Sequence, residues 1–568
     1  MIILGINDSH DSGAAIIKDG KIVAAINEER LNRIKLPWGF PTLSIKEVFK
    51  VSKINPNDVD AIAVAAKYSK FMPRSYPTDE ATLLMGSERK LVSKVSPYLG
   101  FILKTGLWTK IQRFILASQT KERREKLREL LKKEYGFKCP IYFVDHHLSH
   151  AASAYYTCGK DNSLIITLDA QGDGLSGTVS MGRNGKIEIL HEIGSYNSIA
   201  KYYAYVTKIC GFKPGRHEGK ITGLAAYGKP IYLDVFNRFI HYHNGTIINY
   251  SGSKHESAVK KILNAIGGFK REDLAASIQE HVEMNVVKFI KYWMRKTNLR
   301  NVILAGGLFS NVKINQKIHE IKHLDYIFIH PNMGDGGLGT GAALQLYAEK
   351  VGYEKIPSIN NVYFGPSYND KEIEEELKKH KLKYKKSKSI EKEIARLIAK
   401  SKIVARFNGK MEYGPRALGN RSILYQATDK SVNDWLNKQL KRTEFMPFAP
   451  VTLAEDADEC YENIEKAEVA ALFMVITFNC KELMQERCPA IVHLDNTARP
   501  QLITRKINES YYKILKEYKK LTGLPTIVNT SFNMHEEPIV CTPEDAIRSF
   551  KQGHLDYLAI GNYLVKSE

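Results

Sequence analysis

A strand, a polar loop carrying an acidic residue, and a tight hairpin occur twice in this chain, and that repetition restricts the fold more than any other feature. In the first copy the apolar run MIILGI enters the loop NDSHDSG, and AAIIK and KIVAAI then flank Asp19-Gly20. In the second, LIITLD ends in Asp169, AQGDG supplies the loop, and GTVSMGR and KIEILHEI flank Asn184-Gly185. Asp-Gly and Asn-Gly are the dipeptides of type I′ hairpin turns, whose two central residues need positive φ. The matched acidic loops make a duplicated fold the expectation.

Two such halves facing each other across a nucleotide cleft is the actin-like, sugar-kinase-like arrangement. Further along, Ala275 to Arg300 reads as a long helix, followed by strand NVILA, Gly306-Gly307 and a helix from Phe309. Strand YIFIHP then enters the loop NMGDGGLGTG and another helix, so the alternation is that of an α/β protein. A chain of 568 residues is too long for one core. A boundary is expected within 350–370, where GYEKIPSINNVYFGPSYND is rich in turn residues. This gives a domain over 1–355 and a smaller α/β domain over 356–568. Residues 69–135 read as a basic, helical insertion ending in KERREKLRELLKKEYG, which could cover a site, form a subunit contact or be a solvated spacer.

Lys and Arg exceed Asp and Glu by 83 to 62, a formal charge of +21. A basic surface suits phosphorylated substrates or nucleic acid. Much of the surplus sits in Lys121–Lys133 and Lys378–Lys392, which read as solvated helices and loops, and no aromatic-basic motif accompanies it, so nucleic acid is not an expected partner. No apolar run is long enough to span a membrane, and the start MIILGINDSHDSGAA lacks the pattern of a secretory signal, so a cytosolic protein is expected. Seven cysteines without a CxxC pair argue against a thiolate zinc site or a disulfide framework. A metal here would need histidine and carboxylate ligands.

His146 and His150 are four residues apart, so a helix places both on one face, as a shared metal requires. HxxxH alone is weak, because capping and core histidines produce it often. Asp169 strengthens it, as a carboxylate ending an apolar strand has no packing reason to be there. So does Asp335, in a loop of glycines that permits close approach of phosphate. Two imidazoles and two carboxylates suit iron(II), manganese or zinc more than calcium. Gly334 to Gly339 matches GxGxxG formally, but its central Asp335 would repel a pyrophosphate unless a metal intervened, so a metal-phosphate loop is the better reading. Gly306-Gly307 is either a nucleotide approach site or a plain helix entry. No GxxxxGK[ST], GxSxG or HExxH occurs, which removes the P-loop, serine hydrolase and zincin readings. In the second domain, Arg416 and Arg421 lie in EYGPRALGNRS, and with Lys441, Arg442 and Arg499 they are candidates for clamping a phosphate. Asn529 to Asn533, NTSFN, would add hydroxyl and amide groups.

Together these segments resemble the O-carbamoyltransferase family of nodulation-factor, cephamycin and tobramycin carbamoyltransferases. The resemblance runs nearly end to end, through INDSHDSGAAIIKDGKIVAAINEERLNRIK, HHLSHAASAYY, LDAQGDG, HEGKITGLAAYGKP, LAGGLFSNVKIN, MGDGGLGTGAA, YGPRALGNRSIL, FMPFAPV, DNTARPQ and VNTSFN. It implies an actin-like (ASKHA) N-terminal domain similar to the tRNA threonylcarbamoyl transferase, and a YrdC-like C-terminal domain. It implies that carbamoyl phosphate and ATP become carbamoyl adenylate in the second domain. The carbamoyl group then passes to a hydroxylated small-molecule acceptor in the first. By the same resemblance His146, His150, Asp169 and Asp335 are metal ligands, iron(II) being preferred, and His10 and Lys35 lie near the transferred carbonyl. Gly172, Asp173, Gly306, Gly307 and Asn311 are nucleotide-binding, while Arg416, Lys441, Arg442, Arg499, Asn529 and Ser531 form the carbamoyl phosphate and ATP pocket. The family implies a homodimer. One departure stands out: many members have arginine where this chain has Met446, with shifted lysine-arginine spacing, which weakens the assignment of Lys441. The alternatives are a tRNA threonylcarbamoyl transferase-like modification enzyme, a hydrogenase-maturation carbamoyltransferase and a nucleotide sensor. The hydrogenase-maturation family's paired CxxC modules are missing here, and a sensor has no need of four metal positions.

Overall fold

Asp19 and Gly20 have φ of 49° and 81°, and Asn184 and Gly185 have φ of 50° and 68°, in the computed structural model of the chain. Both hairpins therefore turn as their dipeptides predict. The structure describes residues 1–68, 72–78, 102–118, 120–440 and 446–567. They form two compact units, Met1–Glu28 with Leu36–Ile359, and Glu29–Lys35 with Asn360–Glu568.

The first unit carries β1 (Ile2–Asn7), β2 (Gly13–Lys18), β3 (Lys21–Asn27), β4 (Ala61–Val64), β5 (Ile141–Phe143), β6 (Ser163–Gly172), β7 (Leu175–Arg183), β8 (Lys186–Gly194), a small hairpin of β9 (Ile240–His243) and β10 (Thr246–Asn249), β11 (Asn301–Ala305) and β12 (Tyr326–Ile329). One five-stranded sheet has the order β3-β2-β1-β4-β5 and another the order β8-β7-β6-β11-β12. In each, the first strand pairs antiparallel with its hairpin and parallel with the strand beyond. The duplication expected from the two loops is thus present in full topology.

The helix Leu338–Val351 packs on β1 and on the helix His146–Tyr155. Glycines allow this. A Cβ on Gly5 would lie 2.1 Å from the Gly339 carbonyl oxygen, and one on Gly341 would lie 1.9 Å from that of Ser149. The glycines after Asp335, read from sequence as a phosphate approach, therefore let backbones meet closely. The helix expected from Phe309 instead begins at Val312, because the Asn311 side chain accepts from the amides of Lys313 and Ile314 and sets the start.

Part of the insertion is described as the helix Thr120–Tyr135; residues 69–71, 79–101 and 119 lie outside the described residues. This helix is more than a solvated spacer. Leu127 and Leu131 are wholly buried, and Arg123 is 3% exposed.

The second unit is built on an eight-stranded sheet, ordered β13-β22-β21-β14-β15-β20-β16-β19. Its strands are β13 (Tyr384–Lys386), β14 (Val404–Phe407), β15 (Arg421–Tyr425), β16 (Ala449–Leu453), β19 (Gln501–Ile503), β20 (Thr526–Ser531), β21 (Tyr557–Ile560) and β22 (Tyr563–Lys566), with β17 (Phe478–Asn479) and β18 (Thr497–Ala498) as a separate pair. The register gathers several loops. Phe407 opposes Arg421, Ser422 opposes Ser531, Asn529 opposes Ala449, and Val451 pairs with Gln501. The β14–β15 loop, the end of β20 and the starts of β16 and β19 consequently share one edge of the sheet. The chain as a whole is mixed α/β, and no helix among the described residues is long and apolar enough to cross a membrane.

Candidate metal and phosphate sites

The helix His146–Tyr155 starts where Asp145 caps it, its carboxylate accepting from the amides of His147 and Leu148. Arg113 holds that cap with a 2.6 Å ion pair to Asp145. Asp173 holds the helix from another side. Its carboxylate accepts from the backbone N–H of His146, Lys67 and Tyr68, each at 2.8 Å. Burial and neighbouring Asp145 raise its pKa.

Helical spacing sends His146 and His150 to one side and His147 to another. His147 is wholly buried, its Nδ1 2.8 Å from the Thr167 hydroxyl, and burial drives its pKa far down, so it is a neutral core residue. His146 Nε2 lies 3.4 Å from Asp169 and 3.6 Å from Asp335, and His150 Nε2 lies 3.5 Å and 3.3 Å from the same two carboxylates. Two donors each about 2.1 Å from one ion, at a tetrahedral angle, stand about 3.4 Å apart. All four donor atoms lie within 4.8 Å of one another. His150 Nε2 is buried and has no hydrogen-bond partner among the described residues. An orphaned imidazole nitrogen facing two carboxylates, at the edge lengths of a coordination shell, fits a divalent cation. Burial works against charge throughout this cluster, yet the opposite charges prevail: Asp169 is held far below the usual carboxylate range, Asp335 below it, and His146 is raised to about 9.

Besides Asp173, three of the expected nucleotide positions lie around these four side chains. A Cβ on Gly172 would sit 2.1 Å from the His146 ring, and one on Gly307 would sit 2.8 Å from Asp169 Oδ1. Gly306, with φ of 103°, packs against the Leu168 backbone. Asn311, besides capping its helix, donates to Gln279 at 2.8 Å.

His10 reaches the same cluster from the loop after β1. Its Nδ1 is 3.4 Å from Asp335, and its ring meets the Trp38 edge at a 5.6 Å centroid distance. Burial would lower its pKa, but Asp335, Asp11 and Asp169 outweigh that and raise it. Asn7, which the sequence reading passed over, ties the loop together by donating to the carbonyls of His10 (2.8 Å) and Asp335 (2.9 Å). Lys35 belongs to the second unit, at the end of Glu29–Lys35, whereas His10 belongs to the first.

In the second unit, Glu412 organises the β14–β15 loop by accepting from the amides of Leu418, Asn420 and Arg421. Arg421 differs from its reading as a phosphate clamp. It is wholly buried, and its guanidinium donates to the carbonyls of Asn408, Gly409, Asn420 and Pro366. Those acceptors make it a brace for the loop. Arg416, in the same loop, is half-buried. Asn529 donates to the Ala417 carbonyl at 3.2 Å and to Gln501 at 2.8 Å, while its buried Oδ1 has no partner among the described residues. Ser531 stands opposite Ser422. Arg499 lines a small cavity with Met446, Phe448, Thr477 and His493. Lys441 and Arg442 lie outside the described residues. The sheet thus brings Arg416, Arg499, Asn529 and Ser531 to one edge.

Comparison with known proteins supplies the family. Residues 2–344 match the carbamoyltransferase N-terminus, and residues 395–567 match the carbamoyltransferase C-terminus. The chain belongs to the carbamoyltransferase family. It is similar to an uncharacterized protein of Methanocaldococcus jannaschii, with 32% identity over 99% of each chain. It is also similar to Nodulation protein NolNO of Sinorhizobium fredii, with 32% identity over 98% of this chain and 79% of the other. Nodulation protein NolO of Bradyrhizobium diazoefficiens is 33% identical over 74% of this chain and 79% of its own length. As a carbamoyltransferase the chain is a transferase of carbamoyl groups, and the histidine-carboxylate cluster lies within the segment that matches the N-terminal model.

Proposed function

We propose that this carbamoyltransferase makes carbamoyl adenylate in its second unit, where carbamoyl phosphate loses inorganic phosphate to water and the resulting carbamate attacks the α-phosphorus of ATP with loss of pyrophosphate, and that its first unit transfers the carbamoyl group to a hydroxyl of a small-molecule acceptor. The observation that carries the transfer half is the convergence of His146, His150, Asp169 and Asp335 within 4.8 Å, with His10 against Asp335. The observation that supports the activation half is the arginine-bearing edge of the eight-stranded sheet. The repeated five-stranded sheets support an actin-like first unit. A YrdC-like second unit is part of the same reading.

The four ligands would hold a divalent ion, iron(II) by preference, with manganese and zinc as alternatives. Bound there, the cation supplies positive charge that polarises the carbamoyl carbonyl and offsets the two carboxylates. His10 takes the proton of the attacking hydroxyl as the adenylate leaves, and Asp335 orients its ring through Nδ1. Arg416 and Arg499 bind the phosphate groups, and Asn529 and Ser531 orient them. A protein with cytosolic access to ATP and carbamoyl phosphate, working as a homodimer, completes the reading.

Incubation with ATP and carbamoyl phosphate should release inorganic phosphate and pyrophosphate and yield carbamoyl adenylate. Addition of hydroxylated acceptors should then release AMP, and dialysis against EDTA should stop transfer but not pyrophosphate release. Pyrophosphate release unaffected by omitting carbamoyl phosphate would refute the activation half.

A further inference from the structure

Seven residues from the start of the chain are built into the second unit, and one of them reaches the loop that carries Arg416. Arg30 is 4% exposed. Its Nη2 donates to the Gly414 carbonyl at 2.7 Å across 384 positions of sequence, and its Nη1 lies 3.4 Å from Glu29. Arg33 fastens the same segment, donating to the carbonyls of Ile539 (2.8 Å) and Pro538 (2.6 Å) and lying 3.5 Å from Asp545. Its φ of 62° is left-handed, a conformation that an arginine adopts only where its surroundings hold it.

Gly414 has φ of 114°, which only glycine takes without strain. Its peptide plane is therefore not fixed by an ordinary backbone preference, and Pro415 after it brings no N–H to the loop. Glu412 holds the later amides of the loop, from Leu418 onward. Between Glu412 and Leu418, the Tyr413 amide donates to the Val362 carbonyl at 2.8 Å and the Ala417 carbonyl accepts from Asn529, while the Gly414 carbonyl, next to Pro415 and Arg416, is held by Arg30. Arg416 stands two residues beyond that anchored carbonyl. Burying a guanidinium to bind one carbonyl and the neighbouring Glu29 carboxylate is a costly way to fill space, and an apolar side chain would fill it more cheaply.

We infer that Arg30 is a positioning residue for the second unit's phosphate loop: it fixes the Gly414 carbonyl and thereby aims Arg416. The consequence is that the activation half-reaction depends on the first 35 residues of the chain. This inference rests on the reading that the Glu412–Arg421 loop serves carbamoyl phosphate and ATP.

The test uses the full chain with Arg30→Met and Arg30→Lys. Four quantities are measured: pyrophosphate release as a function of carbamoyl phosphate, metal content, the unfolding midpoint, and hydrogen exchange of the peptide spanning 412–421. Arg30→Met should raise KM for carbamoyl phosphate at least about tenfold, as loss of orientation does. It should speed exchange in that peptide and leave metal content at the wild-type level, and Arg30→Lys should fall between. Unchanged KM together with unchanged exchange would overturn the inference. So would a loss of metal and an unfolding midpoint that falls as KM rises, since that is general destabilisation. If Arg30→Met does not fold, Arg30→Lys carries the comparison alone. If the wild type releases no pyrophosphate, the reading of the loop fails, and exchange in 412–421 then decides the positioning role by itself.

Discussion

Arg123, on the helix inside the insertion, donates to the carboxylate of Asp8, and their side chains are 2% and 0% exposed. Arg123 also reaches the backbone of the segment after β4, at the Ala65 and Lys67 carbonyls. The inserted helix is therefore pinned to the loop that carries His10, two residues after Asp8.

Arg123→Met should leave Asp8 as a buried charge without a counter-ion and destabilise the first unit by about 3–5 kcal/mol. Guanidinium denaturation followed by intrinsic fluorescence measures this. Asp8→Asn combined with Arg123→Met should recover much of the loss, because it removes the orphaned charge; a double variant less stable than the single would disprove the pairing.

His150→Ala should lower divalent-metal affinity at least about 100-fold, since removal of groups that merely support ligands already costs 10–100-fold. Metal analysis of protein dialysed against a weak chelator gives the stoichiometry. A variant that retains a full equivalent of metal would rule out His150 as a ligand.

Gly172→Ala tests the space that admits His146. The added Cβ would fall 2.1 Å from a ring that is itself 3% exposed, so the ring must move. Metal affinity should drop about 10–100-fold, because ligand sets tolerate only small displacements. Pyrophosphate release, assigned to the other unit, should stay at the wild-type rate, and a parallel loss of both would contradict the assignment.

Acid should destabilise the first unit through His281. This ring is wholly buried, and burial lowers its pKa to about 4. In the unfolded chain it binds a proton near pH 6.5, whereas in the folded chain it does so only near 4. The unfolded state therefore holds more protons between these values, and stability falls as pH falls through that window, by up to about 3 kcal/mol. Unfolding midpoints at pH 7 and pH 5 should differ more for the wild type than for His281→Gln.

The histidine pair was legible because both ligand chemistry and the helical period are local, and Asp169 and Asp335 were legible because each breaks a local pattern. The duplicated topology followed from two dipeptide turns and the apolar runs around them. Arg30 and Arg123 were not legible. Each sits in a stretch of alternating charges, EERLNRIK and KERREKLRELLKKEY, which reads as solvated surface. What makes them internal is a partner 384 or 115 positions away, and no local period encodes such a separation. Arg421 shows a second limit: it reads as a phosphate clamp from its residue type, but the carbonyls that occupy its guanidinium come from backbone geometry that side-chain identity does not reveal.

The bond from Arg30 to Gly414 also orders events during synthesis. The donor leaves the ribosome early, and its acceptor is made 384 residues later, a delay of roughly 20–80 s at elongation rates of about 5–20 residues per second. Throughout that interval the Glu29–Lys35 segment lacks the partners it has at Gly414, Pro538 and Ile539, while the strands on either side of it, β1 to β4, already have each other. The second unit cannot be completed by residues 360–568 alone, because Glu29–Lys35, translated long before them, is part of it.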